Sequence, residues 1–207
     1  MPEALAHIVD DDEAIRDALA WLLRSRGVPS RAWASAEDFL RAYSPGMQGC
    51  LVLDIRMQGM SGPELFDRLL ELGCALPTIF LTGHGDVPQA VSAIKKGAFD
   101  FIEKPFNDNE LADRVIDAMR INGKHCSQAA SIATIESRLN SLTQREREVM
   151  ERVLAGKFNK VIADELNIAM RTVEVHRARV FEKMAVRSAV ELAQLLASAG
   201  MKPDQGS

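Results

Sequence analysis

The strongest constraint in this chain is the run Cys50-Leu51-Val52-Leu53, which stops abruptly at Asp54. The run is too short for a helix, and the polar residues that flank it suit a buried β-strand. An acid is thereby delivered to the carboxyl end of a buried strand. In open parallel sheets that edge is where ligands bind.

The chain on either side repeats the pattern. Ala6, His7, Ile8 and Val9 form a first strand ending at Asp10, Asp11 and Asp12. Ile15, Leu19, Leu22 and Leu23 then recur at helical spacing over 14–25, and Gly27 closes that helix. A second strand is predicted over 28–33, and Ser35 is the N-cap of a helix reaching 43. After Asp54, Pro63 opens a helix at its first position and carries it to 72. A fourth strand covers 77–82, Gly83, His84, Gly85 and Asp86 form a loop, and a helix follows over 87–96. A fifth strand covers 99–102, and the capping-box pattern from Asn107 to Glu110 starts a helix reaching 122.

Strands alternating with helices imply an α/β fold, a doubly wound five-stranded parallel sheet over 1–122. Right-handed crossovers place every carboxyl end on one edge. Asp10, Asp11, Asp54, Thr82 and Lys104 are far apart in sequence, and this topology brings all five to that edge.

The segment 123–137 is a connector with helical character. Ile132, Ile135, Leu139 and Leu142 make a short heptad-like stripe. It fits either a linker helix resting on a neighbouring domain or a short coiled coil between two copies. From 138 to 207 the pattern is all-α, with four helices. Thr143 and Glu146 form a capping box for a helix to 155; helices over 159–166, 169–184 and 188–198 follow. Two helices joined by a tight turn, the second rich in Arg, make a helix-turn-helix.

Composition agrees with two domains that have different partners. From Ser137 onward there are 12 Lys and Arg against 9 Asp and Glu, while the remainder has 13 against 20. The back part is mildly basic and the front acidic. No apolar run approaches the roughly 20 residues that span a bilayer, and the first residues lack the basic region of a signal peptide. Cys50, Cys74 and Cys126 match neither a zinc pattern nor a disulfide framework, which points to reduced thiols and a cytoplasmic location.

The five edge residues have a coherent chemistry. Clustered carboxylates repel one another unless a cation lies between them, and oxygen-only ligands suit Mg2+. Asp54 can act as a nucleophile toward a phosphoryl group. Lys104 can hold a phosphoryl oxygen, and Thr82 offers a hydroxyl.

These residues carry a resemblance. The front part resembles the receiver domain of two-component response regulators, through His7-Ile8-Val9-Asp10-Asp11, the strand ending at Asp54, Met60-Ser61-Gly62, Thr82 to Asp86, and Lys104-Pro105-Phe106. The back part resembles the LuxR-type DNA-binding domain, through Leu142-Thr143, Arg145 to Val149, Asn159-Lys160, Ile162-Ala163 and Thr172 to Arg177. Together they look like the NarL/FixJ subfamily, in its FixJ form. The resemblance implies a regulator of transcription, not an enzyme beyond its own phosphorylation from a phosphodonor and slow self-dephosphorylation. A histidine kinase would donate to Asp54. Asp10, Asp11, Asp54 and the main-chain carbonyl of Arg56 would hold Mg2+. Thr82 and Phe101 match the family's switch pair. One departure is Gln58, which stands where these domains commonly carry Pro; the change should loosen the loop and alter phosphoryl lifetime.

A helix-turn-helix lays its second helix in the major groove of promoter DNA. Glu174, Val175 and Ala178 are then expected at base edges. Asn159, Lys160, Arg171, Thr172, Arg177, Arg179 and Lys183 complete the expected DNA-contacting set, the charged residues serving mainly as phosphate contacts. Phosphorylation is expected to produce a homodimer through the fourth helix and fifth strand, and RNA polymerase is a further candidate partner. The enzyme alternative is a Mg2+-dependent phosphohydrolase, disfavoured because Arg56 stands where such enzymes carry a second Asp. A regulator switched by a small ligand, or by protein contact without phosphorylation, leaves the aspartate set without a role.

Overall fold

A computed structural model of the chain describes residues 3–83 and 87–201. They form two compact units, Met1–Cys126 and Ser127–Ser207. The first has strands β1 (Leu5–Val9), β2 (Ser30–Trp33), β3 (Gly49–Asp54), β4 (Thr78–Thr82) and β5 (Asp100–Glu103). All pair in parallel in the order β2-β1-β3-β4-β5. This is a doubly wound sheet whose strand order reverses at β1 and β3. Helices α1 (Glu13–Ser25), α2 (Ala36–Ala42), α3 (Gly62–Glu71), α4 (Val87–Lys95) and the start of α5 (Asp108–Asn140) make the crossovers.

Every residue of β3 is buried because the strand feeds two cores. Leu51 and Leu53 enter a layer with α2, α3 and α4, where Phe39, Leu65, Phe66 and Ala93 pack. Cys50 and Val52 enter the opposite layer with Leu19, Leu23, Leu111 and Val115 of α1 and α5. Alternation along a pleated strand sends successive side chains to opposite faces. The acid that ends β3 therefore stands on a strand buried on both faces.

Several element ends differ from expectation, each for a local reason. β2 begins at Ser30, not 28, because the Val28 N–H donates to the Leu23 carbonyl at 2.9 Å and closes the end of α1. α3 begins at Gly62, one residue before Pro63, because Ser61 and Glu64 form a reciprocal capping box. Gly62 is required there: a Cβ would stand 2.2 Å from the Asp54 carbonyl oxygen. α5 does not end near 122. Asn122 is buried within it, accepting from the Gly49 N–H at 2.9 Å and donating to the Ala75 carbonyl at 3.0 Å. The loop expectation for His84, Gly85 and Asp86 lies outside the described residues.

The second unit contains the last part of α5 with α6 (Gln144–Leu154), α7 (Asn159–Leu166), α8 (Met170–Met184) and α9 (Ala189–Ser198). Ile135, Leu139 and Leu142 pack with Met150, Val180, Met184 and Leu192. Three residues of the apolar stripe, Ile135, Leu139 and Leu142, are thus packed within this unit. Asn167 closes α7 with φ 51°, a left-handed conformation that Asn tolerates, and begins the tight turn into α8. Glu146 is buried at the start of α6. Its carboxylate accepts from the Thr143 N–H at 2.8 Å and the Lys183 ammonium at 2.7 Å. Burial opposes ionisation, yet Lys183 and Thr143 hold the carboxyl down at about 2.

Two predictions follow from buried ionisable groups. His7 is enclosed by Trp33 and Phe39, its Nδ1 accepting from the Trp33 indole at 3.4 Å. Burial first, and the Arg31 charge second, lower it from 6.5 to about 4. Between those values the unfolded chain binds a proton that the folded chain refuses, so stability falls as pH drops from 6.5 toward 4. The loss reaches about 3 kcal/mol. Urea midpoints across that range should show it, and His7→Leu should flatten the slope. In the second unit, Glu146→Gln strips the half-buried Lys183 ammonium of its carboxylate partner and should cost about 1–3 kcal/mol in thermal unfolding. The double variant with Lys183→Met should lose less than the sum of the two single variants.

Candidate functional site

The sheet order decides which side chains meet. β1 and β3 are adjacent, so Asp10, just after β1, stands beside Asp54, the last residue of β3. β4 lies between β3 and β5, and Thr82 is its last residue. Lys104 follows β5 directly, and its N–H donates to the Thr82 carbonyl at 2.7 Å. From there the side chain reaches back across β4. Its ammonium lies 2.6 Å from Asp54 Oδ1 and 3.0 Å from Asp10 Oδ2. The Lys104–Pro105 peptide bond is cis.

The remaining oxygens of the pair are also held. Asp54 Oδ2 accepts from the Arg56 N–H at 2.8 Å, and Asp10 Oδ1 from the Asp12 N–H at 2.9 Å. Both acids are buried, and burial raises the Asp54 carboxyl above the usual carboxylate range. Lys104 opposes that rise and the Asp10 charge reinforces it. For Lys104, burial works against the charged form, and the two carboxylates overcome it and raise the ammonium.

Asp11 is placed differently. It is exposed, and its Oδ2 accepts from the Gln58 N–H at 2.9 Å. The structure therefore brings Asp10, Asp54, Lys104 and Thr82 together and turns Asp11 toward the loop after β3. That loop, expected to be loosened at Gln58, is held at two points, since Glu37 of α2 also accepts from the Met60 N–H at 2.9 Å. Glu37 was not legible as part of the site. In sequence it is only an acid in the first turn of a helix.

Thr82 is fully buried, and its hydroxyl has no hydrogen-bond partner among the described residues. A buried hydroxyl without a partner costs stability, so an acceptor arriving at this edge would satisfy it. Phe101 on β5 is half-buried and packs against the core that holds Leu53 and Phe80.

The donors at this edge are all oxygens, and two carboxylates already share one cation. That chemistry fits a hard ion such as Mg2+. Among the described residues, however, no three His, Cys, Asp or Glu side chains form a group that could hold a metal.

In the second unit, α8 buries Val173, Val180 and Met184 and exposes the opposite face. Arg171, Thr172, Glu174, Val175, Ala178 and Arg179 are all exposed there, and Lys160 of α7 is exposed as well. Arg171 pairs with Glu174 at 3.6 Å on the surface. Arg177 is half-buried; it donates to Asn159 Oδ1 at 3.0 Å and lies over the Phe181 ring. These two expected contacts therefore hold one another. The Lys183 ammonium donates to Glu146 and to the Ser141 carbonyl, and the side chain remains partly exposed. His176 is half-buried, with its Nδ1 unpartnered among the described residues.

Known proteins share both units. The family described as "Response regulator receiver domain" matches residues 6–116, and "Bacterial regulatory proteins, luxR family" matches 140–196. The C4-dicarboxylate transport transcriptional regulatory protein DctR of Rhodobacter capsulatus is 49% identical over 191 residues, 91% of this chain and 97% of its own. The transcriptional regulatory protein FixJ of Rhizobium meliloti is 44% identical, covering 98% of this chain and all of its own. Among solved structures, the response regulator StyR superposes with a TM-score of 0.90 at 39% identity, over 95% of this chain and 99% of its own. Full-length FixJ from B. japonicum gives 0.60 at 42% identity, over 98% of this chain and 100% of its own. DctR and FixJ are named as transcriptional regulatory proteins and StyR as a response regulator. With its receiver sheet, its helix-turn-helix unit and relatives that match along nearly its whole length, the chain belongs to the FixJ- and DctR-like response regulators, which join a receiver domain to a LuxR-type DNA-binding domain.

Proposed function

We propose that Asp54 accepts a phosphoryl group from the phosphohistidine of a partner kinase and that the modified chain dimerises on promoter DNA. The observation that carries this reading is the single ammonium of Lys104 shared by Asp54 and Asp10 at 2.6 and 3.0 Å. In the transfer, a carboxylate oxygen of Asp54 forms a bond to phosphorus. The phosphorus–nitrogen bond of the donor breaks, and its electron pair returns to the imidazole, which takes up a proton. Lys104, freed of its share in Asp54, then holds a phosphoryl oxygen. The Thr82 hydroxyl donates to another, which gives that buried group the partner it lacks. As Thr82 turns toward the phosphoryl group, Phe101 moves inward behind it. Asp10, Asp11, Asp54 and the Arg56 carbonyl would hold Mg2+, which when bound would supply positive charge beside the transferring group.

The receiver occupies 1–122, the connector 123–137 and the DNA-binding domain 138–207. α4 and β5 form the dimer surface, bordered by Thr82 and Phe101, so phosphorylation acts as a shift in population. A dimer matches a two-fold target, because one helix-turn-helix reads only a short half-site. On DNA, Glu174, Val175 and Ala178 face base edges, while Asn159, Lys160, Arg171, Thr172, Arg177 and Arg179 contact the backbone. A regulator of promoters works in the cytoplasm, where RNA polymerase is available to it.

With Mg2+ and a small phosphodonor, the wild type should gain one phosphoryl group at Asp54, sediment as a dimer and bind promoter fragments more tightly. Asp54→Asn should keep its unfolding midpoint and show none of these gains. A phosphorylated protein that stays monomeric and binds no better than the variant would sink the proposal. Arg179→Ala should weaken binding to all sequences alike and lower the slope of affinity against salt by about one. Glu174→Ala should instead change which sequences are preferred.

A further inference from the structure

Asp11 has a partner that the other two acids do not share. Its Oδ2 lies 2.9 Å from the backbone nitrogen of Gln58, in the loop that follows Asp54. Asp10 and Asp54 face each other across Lys104, while Asp11 faces this N–H. As oriented, the three carboxylates do not form a group that could hold a metal ion. For its Oδ2 to face a cation beside Asp10 and Asp54, Asp11 would turn away from the Gln58 N–H.

We infer that the Gln58 N–H is a latch on Asp11, so that Mg2+ loading and release of the loop after β3 are one coupled event. The inference rests on the reading of Asp10, Asp11 and Asp54 as the metal ligands. The donor is the backbone, so the side chain of Gln58 is immaterial except in one respect: a proline at this position would have no N–H to give. The coupling has a defined reach. The next hold on the loop is the Met60 N–H, bonded to Glu37 of α2 at 2.9 Å. Residues 57–59 lie between that hold and Arg56, whose N–H is bonded to Asp54 Oδ2 at 2.8 Å. They can respond to the metal while Met60 and the Ser61 cap of α3 stay in place. Gln58 is thus a positioning residue, acting on the metal site through Asp11. Before a cation can bind, it must compete with a hydrogen bond as well as with the ammonium of Lys104.

Replacement of the donor tests this directly. Amide NMR shifts of the full chain, titrated with MgCl2, report affinity without any phosphodonor. Gln58→Pro should bind Mg2+ about threefold to tenfold more tightly than the wild type, the range for the net contribution of one hydrogen bond. Gln58→Ala keeps the N–H and should match the wild type. In the wild type itself, the Gln58 amide should be protected from solvent exchange without Mg2+ and lose that protection at saturation. This last measurement stands even if Gln58→Pro fails to fold. A Gln58 amide equally protected with and without Mg2+ would overturn the latch, as would a folded Gln58→Pro with wild-type affinity. Asp11→Asn separates the two levels of the argument. If it binds Mg2+ as well as the wild type does, the ligand reading itself falls, and the latch with it.

Discussion

Two buried carboxylates on adjacent parallel strands share one ammonium, and the edge of the sheet is arranged around that fact. Asp10 and Asp54 would repel each other in a low-dielectric setting if neither had a counterion. Lys104 supplies the counterion from two strands away, which it can do only because β4 ends at Thr82 and lets the chain turn back over it. The arrangement is electrostatically taut. Burial and the Asp10 charge raise the Asp54 carboxyl while Lys104 pulls it down. Such opposing pulls are typical of groups that do chemistry.

The second unit contains a buried carboxylate with the opposite character. Glu146, like Asp54, accepts from a lysine and a backbone N–H, but among the described residues no second acid shares its lysine. It therefore sits at about 2 and stays charged. Its work is structural, tying the start of α6 to the end of α8. One motif, a buried acid paired with a half-buried lysine, thus serves two ends. The neighbours decide which: with donors alone the acid stays charged, and a competing anion beside it makes it responsive.

The loop after β3 connects site chemistry to the fold. Its glycine at 62 packs against the Asp54 carbonyl, its N–H groups at 58 and 60 are held by acids from two other elements, and its far end is capped by Ser61. A change in the Asp11 or Asp54 carboxylate is therefore felt first in this segment. The alternating burial of β3 prevents the strand itself from yielding.

Much of this was legible in the sequence, and the reasons are local. Apolar runs ending in acids mark parallel strands, and Ser35, Thr143 and Ser188 announce helix starts because capping needs only neighbours. The convergence of Asp10, Asp54, Thr82 and Lys104 followed from the handedness of crossovers, without a single contact in hand. Individual partners were not legible. Nothing near Asn122 says that it must remain helical and bridge Gly49 to Ala75, and nothing near Lys183 says that Glu146 will claim it. Asp11 looked equivalent to Asp10 in sequence, yet the pleat and the following turn send one carboxylate inward to Lys104 and the other outward to Gln58. The sequence alone determined the order of elements, the two units and the set of chemical groups, because periodicity and capping act over a few residues. Only the tertiary structure decided which charge answers which, because a hydrogen bond depends on distances of a few tenths of an ångström between groups that the chain separates by tens of residues.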